Sequence, residues 1–120
     1  MKGVLLLAHG SREAATEITM ESITGYVKEE LSLNNVVCAY LQFSHKTLEW
    51  GINTLIEKGA KDISVVPYFL FEGVHIKEDI PQEINNILKH HSDIKVTLGS
   101  TLGDDKRLGA ILADRVREII

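Results

Sequence analysis

The sequence contains only one cysteine, Cys38, and no long apolar run. A single thiol cannot form an internal disulfide, so nothing in the chain requires an oxidising compartment, and we expect a cytoplasmic protein. A helix that crosses a bilayer needs roughly 18 to 20 consecutive apolar residues. The apolar start of this chain, residues 4–8, ends at His9 and Gly10. The sequence therefore predicts neither a signal peptide nor a membrane partner.

Basic residues are also few. Thirteen lysine and arginine residues stand against seventeen aspartate and glutamate residues, which gives a formal net charge of −4. No basic segment is long enough to follow a phosphate backbone, so we expect no nucleic-acid partner. A negative total still allows a local basic patch that binds an anionic small molecule.

Short apolar runs alternate with longer segments of helical periodicity. Hydrophobic residues make up 44% of the 120-residue chain and charged residues 25%, which is typical of one globular domain. The apolar runs lie at residues 3–8, 36–43, 63–71 and 94–98. They are nearly continuous, as in strands that helices cover on both faces. We predict a single α/β domain over residues 1–120, with a four-stranded parallel sheet flanked by helices and the strand order 2-1-3-4.

Four helices are predicted from the apolar spacing, over about residues 11–31, 48–58, 80–91 and 104–119. The first is the least regular because Gly25 interrupts it, so we expect it to bend or to begin late. A sheet of only four strands leaves edges that a second copy can cover. We therefore expect a homodimer.

Three of the five histidines follow predicted strands. His9 comes directly after the first, His45 soon after the second and His75 soon after the third. Adjacent parallel strands lie about 4.8 Å apart, and ligands of open α/β sheets bind at the carboxyl ends of the strands. We expect His9 and His75 to share one crevice as metal ligands or proton acceptors. The simpler alternatives are a loop histidine bonded to backbone for His9 and a helix-start residue for His45.

Other candidate binding residues lie near the same predicted edge. Ser11 and Arg12 offer donors and positive charge to a carboxylate or a phosphate, although Ser11 is equally suited to capping the first helix. Gly73 would let the backbone approach a bulky ligand. Asp79 is placed either to orient His75 or simply to favour the start of a helix.

Two segments carry a resemblance to a known family. Residues 6–12 read LLAHGSR and residues 66–81 read VPYFLFEGVHIKEDIP. They resemble the two signature segments of the class II tetrapyrrole chelatases, in particular the short sirohydrochlorin cobaltochelatase form. The similarity extends over essentially the whole chain.

The resemblance implies a chelatase-type α/β sandwich, a homodimer and insertion of a divalent metal into sirohydrochlorin. It implies that His9 and His75 are the catalytic, metal-binding histidines. The metal, cobalt before nickel or ferrous iron, would be a substrate, and no permanently bound cofactor is expected. Arg12, Lys77 and Lys46 would bind the carboxylates at the edge of the macrocycle.

The chain departs from the family pattern after the second strand. Relatives usually carry Leu-Glu-Phe there, whereas this chain has Leu41, Gln42 and Phe43. An amide is a poorer ligand than a carboxylate and is not a base. We hypothesise that His45 compensates for the lost carboxylate.

Three other functions remain open on sequence grounds. A metal or tetrapyrrole carrier would use the same histidines without catalysis. A phosphoryl-transfer enzyme is disfavoured because Arg12 follows His9 instead of preceding it. A nucleotide-binding domain is disfavoured because the turn after the first strand lacks the dinucleotide glycine spacing.

Overall fold

The computed structural model describes residues 1–120, with every side chain except that of His75. The elements in chain order are strand β1 (Lys2–Ala8), helix α1 (Ala14–Leu31), strand β2 (Val36–Tyr40), helix α2 (Leu48–Glu57), strand β3 (Asp62–Pro67), a π-helix (His75–Asp79), helix α3 (Ile80–Leu88), strand β4 (Lys95–Leu98) and helix α4 (Lys106–Arg117).

The four strands form one parallel sheet in the order β2-β1-β3-β4. This confirms the predicted fold class and strand order. The two central strands, β1 and β3, have neighbours on both sides. Because the order reverses between β1 and β3, the chain leaves these two strands in different directions and opens a crevice at their carboxyl ends.

Two apolar layers hold the helices against the sheet. On one face, Leu5 and Leu7 of β1 and Val65 of β3 pack with the buried apolar residues of α2 and α3. On the other face, Leu6 of β1 packs with Met20 of α1 and with alternate residues of β2, namely Val36, Cys38 and Tyr40. Consecutive β1 residues point to opposite faces, and both faces are buried. Because both faces are buried, the apolar runs in the sequence are nearly continuous.

Two predicted strands end earlier than their apolar sequence indicated. β2 ends at Tyr40 instead of residue 43, because the Tyr40 N–H donates to the Lys46 carbonyl and closes a turn. Phe43 then adopts a left-handed backbone with φ of 60°. β3 ends at Pro67 instead of residue 71, and Phe71 is exposed. Several apolar residues beyond the two strand ends are therefore exposed rather than buried.

Helix α1 begins late, as expected, at Ala14 rather than at residue 11. Ser11 is not its cap: the position before the first helical residue is Glu13, whose side chain makes no capping bond. The Ser11 hydroxyl instead accepts hydrogen bonds from the Glu13 N–H and from the Thr16 hydroxyl. Gly25 lies within a continuous helix, and a β-carbon there would meet nothing within 4 Å.

Helix α4 buries none of its residues, all of which the structure describes. Ile111, Leu112 and Val116 are exposed, and Leu112 retains 66% of its accessible surface. The radius of gyration is 15.2 Å, compared with about 13.6 Å for a compact domain of this length. The sheet face that α1 covers over β1 and β2 is open over β3 and β4, where Ser64 and Thr97 are exposed.

No helix among the residues that the structure describes combines the length and the hydropathy that a bilayer crossing requires.

Candidate functional site

His9 occupies the first position after the central strand β1, at the carboxyl edge of the sheet. Its ring stacks on that of Phe69, with the ring centres 4.2 Å apart and the planes inclined by 22°. Phe69 is itself buried beyond the end of β3. The stacking therefore fixes the plane of an otherwise exposed imidazole and leaves its nitrogen edge to a ligand.

A glycine allows the chain to turn directly after His9. Gly10 has φ of 86°, and a β-carbon at this position would collide with the Gln42 carbonyl oxygen. The Gln42 N–H donates to the His9 carbonyl at 3.1 Å, and the Leu41 N–H donates to the Ala8 carbonyl at 3.0 Å. The loops after β1 and β2 are thus joined backbone to backbone, and Gln42 lies beside His9.

Arg12 lies over the ring of Phe43, with the guanidinium carbon 4.8 Å from the ring centre. Both side chains are exposed. The ring supports the guanidinium without neutralising its charge, so Arg12 keeps its donors for an anionic group. The Arg12–Phe43 pair connects the segment after β1 with the segment after β2.

His9 lines three cavities around the crevice. The first, of about 420 Å³, lies toward α1 and includes Thr16 and Tyr68. The second, of about 390 Å³, includes Phe69, Phe71 and Gly73. The third, of about 240 Å³, lies toward α3 and is lined by His9, Leu41, Gln42, Asp79, Ile80 and Glu83. His9 is therefore accessible from several sides.

Exposed apolar side chains surround this edge of the sheet. We call them the apolar rim: Phe43, Tyr68, Leu70, Phe71 and Val74. Phe71 retains 81% of its accessible surface and Val74 retains 65%. Tyr68, Leu70 and Phe71 line one cavity together with His9. The apolar runs of the sequence thus continue beyond the ends of β2 and β3 into exposed residues.

The π-helix carries the second predicted histidine. His75 is its first residue, and the side chain of His75 lies outside the described residues, so the pairing of His9 with His75 stays a prediction. The Gly73 carbonyl accepts hydrogen bonds from the Ile76 and Lys77 N–H groups and anchors the start of this helix. Lys77 is exposed.

The two basic candidates after β2 differ in their surroundings. The Lys46 ammonium lies 3.7 Å from a carboxylate oxygen of Glu21 and 4.0 Å from one of Glu17, so its charge faces α1. His45 is exposed, and the structure shows no contact that assigns it a role. Lys46 is thus paired with carboxylates of α1, whereas Arg12 lies over the Phe43 ring.

Two residues of the site carried too weak a signal to be selected from sequence. Phe69 resembles any apolar strand residue. Glu83 follows Asp79 by four positions, a spacing that places both on one helix face, but nothing in the sequence identifies that face as the one beside His9. Partial burial, together with the negative charge of Glu49, raises the pKa of the Glu83 carboxyl group.

Cys38 lies away from the crevice and is buried in the apolar layer between the sheet and α1. Its thiol donates to a carboxylate oxygen of Glu21 at 3.1 Å. Burial raises the pKa of the thiol, which keeps it neutral and unreactive.

The described side chains include no group of three or more histidine, cysteine, aspartate or glutamate residues arranged to hold a metal ion. His9 with one further ligand would leave most coordination positions of a divalent cation to water or to a second substrate.

Comparison with known proteins places the sequence among chelatases. The family model described as CbiX matches residues 3–119. A sirohydrochlorin cobaltochelatase from Saccharolobus solfataricus is 32% identical over 124 residues, which take in 98% of this chain and 95% of that protein. A sirohydrochlorin ferrochelatase from Priestia megaterium is 31% identical over 118 residues, which take in 98% of this chain and 44% of that protein.

A solved structure shares the fold. The sirohydrochlorin chelatase SirB from Bacillus subtilis subspecies spizizenii, in complex with cobalt, superposes with a TM-score of 0.90 at 26% identity and covers 98% of this chain. The match takes in 50% of the SirB chain. This chain thus spans about half the length of SirB and 44% of the Priestia enzyme.

Proposed function

The chain belongs to the CbiX family, and on that basis we propose that it is a sirohydrochlorin chelatase, which inserts a divalent metal into the sirohydrochlorin macrocycle. The observation that carries the proposal is His9, stacked on Phe69 at the carboxyl edge of the sheet and surrounded by the apolar rim. An apolar surface suits the face of a flat macrocycle, and an imidazole is a suitable ligand for an entering transition metal.

Different residues of the proposed site bind different parts of the substrates. The apolar rim contacts the face of the macrocycle, while Arg12, Lys77 and the backbone around Gly73 and Ser11 bind its peripheral carboxylates. His9 and His75 hold the metal and accept the two protons that the pyrrole nitrogens release as the metal enters. The four macrocycle nitrogens complete the chelation, so the enzyme contributes position, partial dehydration of the metal and proton acceptance.

Cobalt is the proposed metal, and cobalamin biosynthesis the proposed pathway. The relative that matches this chain over 95% of its own length is a cobaltochelatase, whereas the ferrochelatase is matched over 44% of its length. Imidazole and amide ligands do not by themselves select cobalt over nickel. We therefore propose that metal supply in the cytoplasm contributes to the choice.

The test of the proposed function is anaerobic absorbance spectroscopy of sirohydrochlorin with cobalt, nickel or ferrous iron, with the uncatalysed rate subtracted. We expect the protein to accelerate insertion of at least one metal, cobalt first, by more than about 100-fold when saturated. Tight binding of the metal or the macrocycle with no acceleration would instead support a carrier, the alternative that uses the same residues.

A homodimer is the proposed assembly. The exposed apolar face of α4 and the open sheet face over β3 and β4 are two surfaces that one copy leaves uncovered. Each can cover the other across a two-fold axis, so that one contact forms twice. A pair of chains would also approach the length of the longer relatives.

We expect the wild type to sediment as twice the 13.4 kDa chain mass and Leu112→Glu to sediment as a monomer. A charge placed in the centre of an apolar interface is costly because it is buried without a partner. Ala110→Glu is the matched control, since helical geometry places Ala110 on the opposite side of α4 from Leu112. A wild type that remains monomeric at micromolar concentration would contradict the proposed assembly.

A further inference from the structure

The segment that follows β2 turns back on itself and is closed by two hydrogen bonds. We call residues 41–46 the β2 loop. The Tyr40 N–H donates to the Lys46 carbonyl at 2.8 Å, and the Lys46 N–H donates to the Ser44 hydroxyl at 3.0 Å. Lys46 is therefore the residue at which the end of the loop returns to the end of the strand.

The tip of the β2 loop reaches the candidate site. Gln42 is hydrogen-bonded to the His9 carbonyl, and the Phe43 ring lies under the Arg12 guanidinium. Phe43 has φ of 60°, a backbone conformation that bulky side chains rarely adopt and that persists only where surrounding contacts impose it. Half of the Phe43 surface is exposed, so burial of the ring is not enough to impose it. The β2 loop needs other contacts to keep this conformation.

The Lys46 side chain attaches the β2 loop to two helices. Its ammonium lies 3.7 Å from a carboxylate oxygen of Glu21 and 4.0 Å from one of Glu17, both on α1. It also lies 5.8 Å from the ring centre of Trp50 in the first turn of α2. The Lys46 side chain is largely covered, with 30% of its surface accessible. Its charge is therefore directed at α1.

Glu21 is itself fixed to the core. The carboxylate oxygen that faces Lys46 also accepts a hydrogen bond from the Cys38 thiol at 3.1 Å, and Cys38 is buried in β2. An ordinary surface ion pair contributes little, because two mobile side chains must be ordered to form it. Here the carboxylate is already held by the thiol, so only the lysine has to be ordered.

We propose that Lys46 is a positioning residue of the macrocycle site, whose ion pairs with α1 hold the β2 loop in the conformation that places the Phe43 ring under Arg12. The proposal rests on the proposed function, because it concerns the site at which Arg12 binds a peripheral carboxylate of the macrocycle. Lys46 acts through Phe43 and Arg12 and does not touch the macrocycle. This differs from the direct role that the family resemblance implies for Lys46.

The two roles of Lys46 predict opposite effects of Glu21→Gln. This substitution removes the charge that attracts Lys46 but leaves an amide oxygen that can accept from the Cys38 thiol. If Lys46 positions the loop, binding of sirohydrochlorin should weaken. A Lys46 that bound the macrocycle directly would be released from a competing carboxylate, so binding should strengthen, and that result would overturn the proposal.

Absorbance titration of metal-free sirohydrochlorin measures the effect on binding. We expect Lys46→Met to raise the Kd about threefold to fivefold, with kcat at saturating sirohydrochlorin and Co²⁺ unchanged. Lys46→Arg, which keeps the charge, should restore the Kd. Lys61→Met is the matched control, since Lys61 pairs with Asp93 at 3.5 Å on an exposed surface, and it should leave the Kd unchanged.

A double variant shows whether Lys46 acts through Arg12. We expect Arg12→Gln alone to raise the Kd, and the addition of Lys46→Met to raise it little further, because the group that Lys46 positions is already absent. Residues that bind the macrocycle independently give additive free energies instead. Additive effects of Arg12→Gln and Lys46→Met would therefore overturn the proposal.

Hydrogen exchange of the Gln42 amide tests the position of the loop without any substrate. This amide donates to the His9 carbonyl at 3.1 Å. We expect Lys46→Met to speed its exchange and to leave the β1 amides unaffected, which separates opening of the loop from global unfolding. Equal exchange in Lys46→Met and wild type would overturn the proposal and leave the proposed function intact. A wild type that binds no sirohydrochlorin would contradict the proposed function, whereas faster exchange in Lys46→Met would still support the attachment of the loop.

Discussion

Replacing His9 with alanine is expected to lower the rate of metal insertion into sirohydrochlorin by about 100-fold or more, the range that follows loss of a proton-transfer group. The imidazole is the only described histidine at the crevice that also lines all three surrounding cavities. Its removal would take away a metal ligand and a proton acceptor together. Stopped-flow absorbance under anaerobic conditions, with saturating metal and macrocycle, measures the effect.

A stability measurement on His9→Ala and one further variant separate chemistry from folding. Because His9 is exposed but stacked on Phe69, His9→Ala should stay folded and lose no more than about 0.5 to 1.5 kcal/mol of unfolding free energy, the contribution of a stacked ring pair. Phe69→Leu removes the stacked ring but keeps the imidazole, and we expect a smaller loss of rate, since the histidine is less well oriented but still present. An insertion rate for His9→Ala equal to that of the wild type would remove the central residue of the proposed mechanism.

Gly10→Ala is expected to lower the free energy of unfolding by about 2 to 4 kcal/mol, from the cost of a left-handed alanine and the collision of its β-carbon with backbone. The atom in its path is the Gln42 carbonyl oxygen, which belongs to backbone and cannot rotate aside. Urea denaturation followed by circular dichroism gives the difference.

Gly25→Ala is the matched control for this prediction. Gly25 lies inside α1, and an added β-carbon there meets nothing within 4 Å. Alanine has the higher helix propensity, so this variant should gain up to about 1 kcal/mol. If Gly10→Ala proved as stable as Gly25→Ala, the contact between the loops after β1 and β2 would not be part of the folded state.

The parts of the fold that follow from periodicity were predictable. Continuous apolar runs locate all four strands, and the predicted reversal of strand order places His9 at the crevice. The predicted ends of β2 and β3 are too late, because Phe43 and Phe71 are apolar residues that lie exposed beyond the strands. Hydropathy alone does not show whether an apolar residue at the end of a strand is buried or exposed.

The site was only partly predictable for a related reason. His9 and Arg12 follow a strand in sequence, so the strand end locates them. Phe69 and Glu83 reach the crevice through packing between elements that are distant in sequence. Similarly, periodicity predicted α4 as an amphipathic helix, but it could not show that the apolar face of α4 would be left uncovered by its own chain.

The π-helix at His75–Asp79 constrains how this segment can change during evolution. A π-helical turn contains one more residue than an α-helical turn, and such turns arise by insertion of a single residue. Deleting one residue from it would restore an α-helix and rotate everything that precedes it by about 100° relative to α3. Surface loops usually accept such length changes, but here a deletion would redirect position 75 as effectively as a substitution removes it. We therefore expect the spacing between Gly73 and Ile80 to be under selection, in addition to the identity of the residues between them.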